Sequence, residues 1–330
     1  MPNLTPKLVG SDALFGLKAL ANNLAPILRG GFECRLTANT SQVDLQQCIV
    51  RDDIELLREQ IITSANMVHP GWSQLSDFLN EWRTSLKSIP EIWLEFDINN
   101  SSVLIPAIFV GLPQEISPAY ETYEIAVQSL NLLLPSAWNE WQDNLYRCFV
   151  ACPDGVFVSH IGVMLSRKAP ALRVNVKRLQ AESLIPYLQQ LGWQQQSNEV
   201  EALMKQLSVL CERITVCLDI GQYISPQIGL ECIFLQQHES RWTIFLDYLV
   251  EHGLCEPEKR EALLNWPGQS NPVNSLALWP EHLIAASLLK PRECFTVFER
   301  RLSHIKVVWQ PQRRLEAKAY LWFEHRLLNI

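Results

Sequence analysis

The sequence contains no C-x-x-C pair, no excess of basic residues and no apolar run near the roughly 18–20 residues that a membrane span requires. Each absence excludes a class of protein. Nine cysteines are scattered, and the closest spacing, Cys148 and Cys152, has no histidine at ligand distance in sequence. Buried, reduced thiols are therefore expected, rather than a disulfide framework or a zinc site. With 28 Lys and Arg against 35 Asp and Glu the formal charge is −7, so no global positive field recruits nucleic acid. The first 26 residues lack the charged start and continuous apolar core of a secretory signal. The expectation is a cytoplasmic protein with no membrane partner.

What is present is ample apolar material, 48% of 330 residues, including eleven tryptophans. That composition suffices for one large core and suits a protein that builds aromatic walls.

The C-terminal stretch is the most regular. From Leu315 to Phe323 the side chains alternate strictly: Leu315, Ala317, Ala319, Leu321 and Phe323 on one face, Glu316, Lys318, Tyr320 and Trp322 on the other. Period-two alternation specifies a strand with one apolar and one polar face. If the polar face points outward it is solvated surface; if it points into a barrel it is an anion-binding wall.

The same unit recurs along the chain. Hairpins are expected at 32–37 with 43–50, 92–98 with 103–112, 157–165 with 172–176, 214–220 with 228–235, and 305–309 with 315–323. Polar turns through Asn39-Thr40-Ser41, Asn99 to Ser102 and Arg167 to Pro170 join the first three pairs. Helical periodicity fills the intervals: 10–29, ended by Gly30-Gly31; 52–86, broken near His69-Pro70-Gly71; 118–148, broken at Pro135; 181–211, broken around Gly192-Trp193; and 241–290, with a loop at 267–274. Units that cannot bury a face alone imply a closed or stacked architecture. Five hairpins give ten antiparallel strands, and closing them removes every exposed edge. The expected fold is thus an α/β protein, one domain over residues 1–330. It would be a ten-stranded antiparallel barrel from five hairpins inside an outer ring of helix pairs.

With helices outside, the polar strand faces line the lumen. They offer Glu33, Arg35 and Thr37, then Trp93, Glu95 and Asp97, then His160, Arg173, Asn175 and Lys177. Thr215, Cys217, Asp219, Gly229 and Glu231 follow, and finally Lys306, Glu316, Lys318, Tyr320 and Trp322. The eight other tryptophans outside the strands' polar faces and Trp309 fall in helical stretches and are read as packing anchors.

This order of elements resembles the ABBA prenyltransferase barrel, the fold of soluble indole, phenol, naphthalene and cyanobactin-peptide prenyltransferases. Ala317-Lys318-Ala319-Tyr320-Leu321 is similar to the K-x-Y strand that binds diphosphate in the indole enzymes. Leu94-Glu95-Phe96-Asp97-Ile98-Asn99 is similar to the strand whose acidic residue accepts the indole N–H. Arg173 and Lys177 resemble further members of the cationic shield. There is no D-D-x-x-D; Asp52-Asp53 runs into Ile54-Glu55-Leu56, so isoprenyl chain elongation is not indicated.

The resemblance implies an allylic diphosphate donor, dimethylallyl or geranyl, and an aromatic small molecule or peptide as acceptor. Diphosphate departure needs cations where charge develops on oxygen, which assigns Arg35, Arg173, Lys177, Lys306, Lys318 and Tyr320 to that group. Trp93 and Trp322 would wall the allylic cation through cation–π attraction. Glu95 and Asp97 are the candidate acid/base residues, or else lumen counter-ions to those cations. No motif requires a metal, although Mg²⁺ accompanies the diphosphate in some enzymes of the fold. The polar face is thinner in Lys, Arg and Tyr than the family's shield. Two alternatives stay open: other acid/base chemistry on a peptide or natural product, and non-catalytic binding of such a molecule.

Overall fold

The computed structural model describes residues 4–37, 42–63, 69–98, 105–114, 119–135, 138–165, 171–195, 198–235, 239–273, 275, 279, 281–289 and 294–329. The turns expected at Asn39 to Ser41, Asn99 to Ser102 and Arg167 to Pro170 lie outside these residues.

Ten strands close into an antiparallel barrel. They are β1 (Arg29–Arg35), β2 (Val43–Val50), β3 (Glu91–Asp97), β4 (Ala107–Gly111), β5 (Phe157–Val163), β6 (Leu172–Lys177), β7 (Arg213–Ile220), β8 (Ile224–Ile233), and the long pair β10 (Cys294–Trp309) and β11 (Glu316–Asn329). Each of β1 to β7 pairs with the next, β8 pairs with β10, β10 with β11, and β11 returns to β1 with Phe32 opposite Leu321. The short β9 (Gly268–Ser270) lies outside the ring on the edge of β10.

Helices fill the intervals between hairpins. In chain order they are α1 (Pro6–Val9), α2 (Ser11–Ala21), α3 (Ile54–Thr63), α4 (Pro70–Thr84), α5 (Ala119–Leu133), α6 (Gln142–Val150), α7 (Ala181–Gln190), α8 (Asn198–Leu210), α9 (Glu239–Glu251), α10 (Pro257–Leu264) and α11 (Glu281–Leu288). Helix α4 shows how the sequence dictates them. Pro70 occupies its first turn, where a missing N–H costs nothing, and the His69 ring Nδ1 accepts from the Gly71 N–H at 3.0 Å. Trp72, Leu75, Phe78, Leu79 and Trp82 then form a buried stripe at helical spacing. Trp82 donates its indole N–H to the Ile89 carbonyl (2.9 Å), fixing the approach to β3, and Trp72 stacks on Phe96 of β3.

That packing sets the direction of every strand. In β3 the even residues Ile92, Leu94 and Phe96 are fully buried under the helices, so Glu91, Trp93 and Glu95 turn to the lumen. Burying each such apolar side chain contributes roughly 1.5–3 kcal/mol. Slipping the register by one residue would exchange core for lumen, so the outer layer specifies what the inner face contains.

Three expectations are corrected. The helix expected at 10–29 ends at Ala21, and Gly30-Gly31 does not terminate it; both glycines lie inside β1. A Cβ on Gly30 would stand 2.3 Å from the Gln46 carbonyl oxygen, and one on Gly31 would stand 2.6 Å from that of Leu321. They are there because the neighbouring backbones come too close for a side chain. The loop at 267–274 includes the short strand β9. The fifth hairpin begins at Cys294 rather than 305, because a bulge between Leu302 and His304 breaks its alternation and hides the first half of β10. Of the tryptophans expected in helices, Trp72, Trp82 and Trp242 are helical and buried, whereas Trp138, Trp141 and Trp193 are equally buried but lie outside α1–α11, in the connections. Cys34, Cys48, Cys148, Cys152, Cys211, Cys217, Cys232 and Cys255 are free.

Candidate active site

The lumen holds a cavity of about 560 Å³, within the size range of small-molecule sites. Seven of the ten residues singled out from the sequence line it: Trp93, Glu95, Arg173, Lys177, Lys306, Tyr320 and Trp322. Arg35, Lys318 and Asp97 are not on its wall. Arg35 and Lys318 sit beyond one end of it, in a network of charges, and Asp97 is at the same end of β3, opposite Asp44.

That network centres on Glu33 of β1, only 2% exposed. Its carboxylate accepts hydrogen bonds from Lys318 Nζ (2.9 Å), from Tyr320 Oη and from Arg35 Nη1. Arg35 also donates to Asp44 Oδ2 at 2.9 Å. From outside the ring, Lys259 of α10 caps the β1 end, donating to the carbonyls of Arg35 and Thr37 at 3.1 and 3.0 Å. Burial would raise the Glu33 pKa, but Lys318 and Arg35 with the Tyr320 hydrogen bond outweigh it and hold the carboxyl well below its usual range.

Around the cavity the cations are similarly engaged. Arg173 grips Asp219 through two hydrogen bonds of 2.7 and 2.9 Å. Lys306 donates to Glu231 at 3.2 Å, its side chain lying over Gly229, where a Cβ would be 2.4 Å from the lysine Cε. Glu231 also accepts from Cys217 and faces His304 Nε2 at 4.0 Å; burial opposes, yet Lys306 and His304 bring its pKa down to about 2. The His304 ring stacks on Tyr320 with centroids 4.1 Å apart, and burial lowers its pKa. Lys177 has no carboxylate in ion-pair reach among the described residues, and burial lowers its pKa too.

Glu95 behaves differently. It is 5% exposed and accepts from Gln46 Nε2 at 2.8 Å. Burial, then the charges of Glu33 and Asp44, push its pKa up to about 7. Beside it the Trp93 and Trp322 rings meet at 5.3 Å, and the Arg301 guanidinium lies 5.2 Å from the Trp322 ring.

No family model and no curated protein matches the sequence. Solved structures do match the fold. 5-Dimethylallyl tryptophan synthase from Streptomyces coelicolor, solved in complex with DMASPP and Trp, superposes with a TM-score of 0.58 over 95% of this chain and 89% of that one, at 10% identity. AnaPT from Neosartorya fischeri gives 0.53 over 90% and 77%, at 14% identity. Prenyltransferase PriB gives 0.52 over 88% and 79%, at 13% identity. The chain folds as an ABBA barrel.

This ABBA barrel carries wall residues that sequence alternation did not single out. Glu299, Arg301 and His304 come from the half of β10 concealed by the bulge. Gln46, Glu91 and Phe109 come from strands whose lumen faces were not enumerated that far. Glu91 was within reach of the same reading, since it lies two residues before Trp93. It accepts from the Trp93 indole at 3.2 Å and faces His160 Nε2 at 3.8 Å; the His160 contact leads in lowering its pKa. Among the described residues no three His, Cys, Asp or Glu side chains converge to hold a metal ion, and no helix is long and apolar enough to cross a membrane.

Proposed function

We propose that this ABBA barrel transfers an allylic prenyl group from its diphosphate to an electron-rich aromatic or peptide side chain in natural-product biosynthesis. The observation that carries the reading is a luminal cavity with cations, aromatic rings and one carboxylate of raised pKa on its wall. The fold neighbours support it: two of their structures contain tryptophan together with a dimethylallyl diphosphate analogue.

In this reading the diphosphate lies against Arg173, Lys177, Lys306 and Arg301, where positive charge meets the charge developing on the leaving oxygen. Lys177 is the most available of these, being free of an ion pair among the described residues. Trp93, Trp322, Phe109 and Tyr320 exclude water and present electron-rich faces to the allylic cation. Glu95, in its ionised form, orients the nucleophile and takes its proton. Lys318 and Arg35 then act indirectly, through Glu33, by fixing Tyr320. Mg²⁺ accompanying the diphosphate would draw its oxygens mainly from the substrate, and no step depends on it.

One observation favours the second reading, other acid/base chemistry in the same barrel. Arg35, Arg173, Lys306 and Lys318 all hold carboxylates, so the lumen is close to charge-balanced. Calorimetric titration with dimethylallyl and geranyl S-thiolodiphosphates decides between them. Saturable binding lost in Lys177→Met supports prenyl transfer, and absence of binding leaves the barrel to the second reading.

A further inference from the structure

The committed and the free cations of the barrel lie at different depths. Arg35, the last residue of β1, holds Glu33 and Asp44; Lys318 holds Glu33, Arg173 holds Asp219 and Lys306 holds Glu231. The other end of the barrel is where β3 starts at Glu91, β5 starts at Phe157, β6 ends at Lys177, β7 starts at Arg213 and β8 ends at Ile233. The cavity reaches the surface there: Leu235, on its wall just past β8, is 55% exposed. Because β8 ends opposite His304, Arg301 stands at this rim as well.

Register gathers three of the rim cations. Lys177 stands opposite Thr215, and Arg213 precedes Thr215 by two residues on the same face, a diagonal that long side chains span. Arg178 follows Lys177 with φ 67°, a left-handed backbone that a residue other than glycine rarely adopts. Its guanidinium lies 5.2 Å from the ring of Phe157, the residue opposite Lys177. The rim carboxylates are engaged elsewhere: Glu212 with Arg241, Glu299 with Arg326, and Glu91 with the Trp93 indole and His160. Lys177, Arg178, Arg213 and Arg301 therefore have no carboxylate in ion-pair reach among the described residues. Lys177 and Arg301 are half-buried, Arg178 and Arg213 exposed. Burial leads in lowering the Lys177 pKa, and Arg213 and Arg178 add to it against the pull of Glu231 and Glu91. Like charges gathered without a counter-ion repel, and an anionic ligand turns that repulsion into attraction.

We propose that the donor's diphosphate is held at this rim, by Lys177, Arg178, Arg213 and Arg301, with its allylic chain pointing inward onto Trp93, Trp322 and Tyr320. This rests on the prenyl-transfer reading, moves the diphosphate off the deeper Arg173 and Lys306, and adds two arginines to its site. A diphosphate on Arg173 or Lys306 would also meet the Asp219 or Glu231 carboxylate, and like charge opposes it there. At the rim it meets cations with no such partner. A carboxylate brings one negative charge, whereas a diphosphate brings several and enough oxygens for both guanidinium forks and the lysine point charge. Glu95 lies four residues farther in along β3 than Glu91, so an acceptor held on Glu95 lies beneath the donor.

The test is calorimetric titration of the full chain with inorganic diphosphate, dimethylallyl S-thiolodiphosphate, N-acetyl-tryptophan and N-acetyl-tryptophan amide. Wild type is compared with Arg213→Lys and with the double variant Arg178→Asn/Arg213→Gln, asparagine being a residue that tolerates the left-handed backbone. The expected result is that the double variant binds both diphosphates roughly ten-fold or more weakly than wild type, while Arg213→Lys keeps most of the affinity. If the double variant binds thiolodiphosphate as tightly as wild type does, the rim proposal is overturned while prenyl transfer stands. If it instead loses only N-acetyl-tryptophan, and not the amide, the rim takes a carboxylate and the proposal is again overturned. If inorganic diphosphate binding depends on the arginines but the prenyl chain adds no affinity to it, the rim site stands and prenyl transfer falls. Binding of neither diphosphate by wild type overturns both. Both arginines are exposed, so an unaltered melting curve shows that lost binding is not lost fold.

Discussion

Lys318 Nζ lies 2.9 Å from Oε1 of Glu33, a residue 285 positions earlier in the chain, on the neighbouring strand. The ammonium that the family resemblance reserves for a diphosphate thus already holds an anion, and it belongs to the protein. Tyr320, two residues on, donates to the same carboxylate. This end of the barrel is a floor of matched charge beyond the cavity wall.

Removing the floor's central anion should therefore cost stability more than function. Glu33→Gln leaves Lys318 and Arg35 partly unmatched in a buried setting, where breaking one partner of such a network costs about 3–5 kcal/mol. Urea unfolding should show that loss. The double variant Glu33→Gln/Lys318→Met, which removes both charges, should recover a substantial part of it; no recovery would mean that the two residues are not energetically coupled.

The acidic groups of the lumen titrate in opposite senses. Glu33 and Glu231 have folded pKa values below their unfolded value of about 4.3, so the stability they contribute is complete above that value and fades as pH falls through the folded values. Glu95 holds its proton up to about 7 in the folded chain and loses it near the unfolded value of about 4.3 when unfolded. Between those values the folded state binds more protons, and Glu95 subtracts stability as pH rises. Thermal melts from about pH 5 to about pH 8 should show wild type losing ground to Glu95→Gln across that window. Parallel curves for the two proteins would contradict the raised pKa.

Prenyl transfer with Glu95 as the base requires its ionised form. The rate at saturating substrate should then rise with pH to a plateau, with the acid limb near 7. Glu95→Gln should lower kcat by roughly 10²-fold or more and abolish that limb. Survival of the limb in the variant would assign it to another group.

Lys177 and Lys318 make contrasting tests of where the anion binds. Lys177 is on the cavity wall and unpaired among the described residues, whereas Lys318 is committed to Glu33. Lys177→Met should weaken dimethylallyl S-thiolodiphosphate binding roughly ten-fold or more, and Lys318→Met should weaken it much less. The reverse order would move the diphosphate to the floor.

Gly30 tests how closely β1 and β2 approach. Alanine there would press its Cβ against the Gln46 carbonyl, a backbone atom that cannot step aside. Gly30→Ala should cost about 1–3 kcal/mol by forced backbone movement, read from urea midpoints. A neutral outcome would show that β1 and β2 have room that the structure does not give them.

How much of this was legible beforehand divides along one physical line. Side-chain alternation and helical spacing are properties of short stretches. They gave Glu95 and Trp93 a common face, put Tyr320 and Trp322 on another, and ordered the hairpins and helices that close into the barrel. The Pro70 start of α4 was equally local. Where local regularity broke, legibility broke with it: the bulge at Leu302 to His304 concealed Arg301 and His304, and Gly30-Gly31 looked like a helix stop because the close approach of neighbouring strands, β2 at Gly30 and β11 at Gly31, leaves no periodic mark. Partnership was decided only by the closed ring. Closure brings Glu33 beside Lys318, pairs Lys306 with Glu231, and leaves Glu95 with an amide instead of a cation, because the distance between side chains on different strands depends on register and shear, which no single stretch of sequence contains.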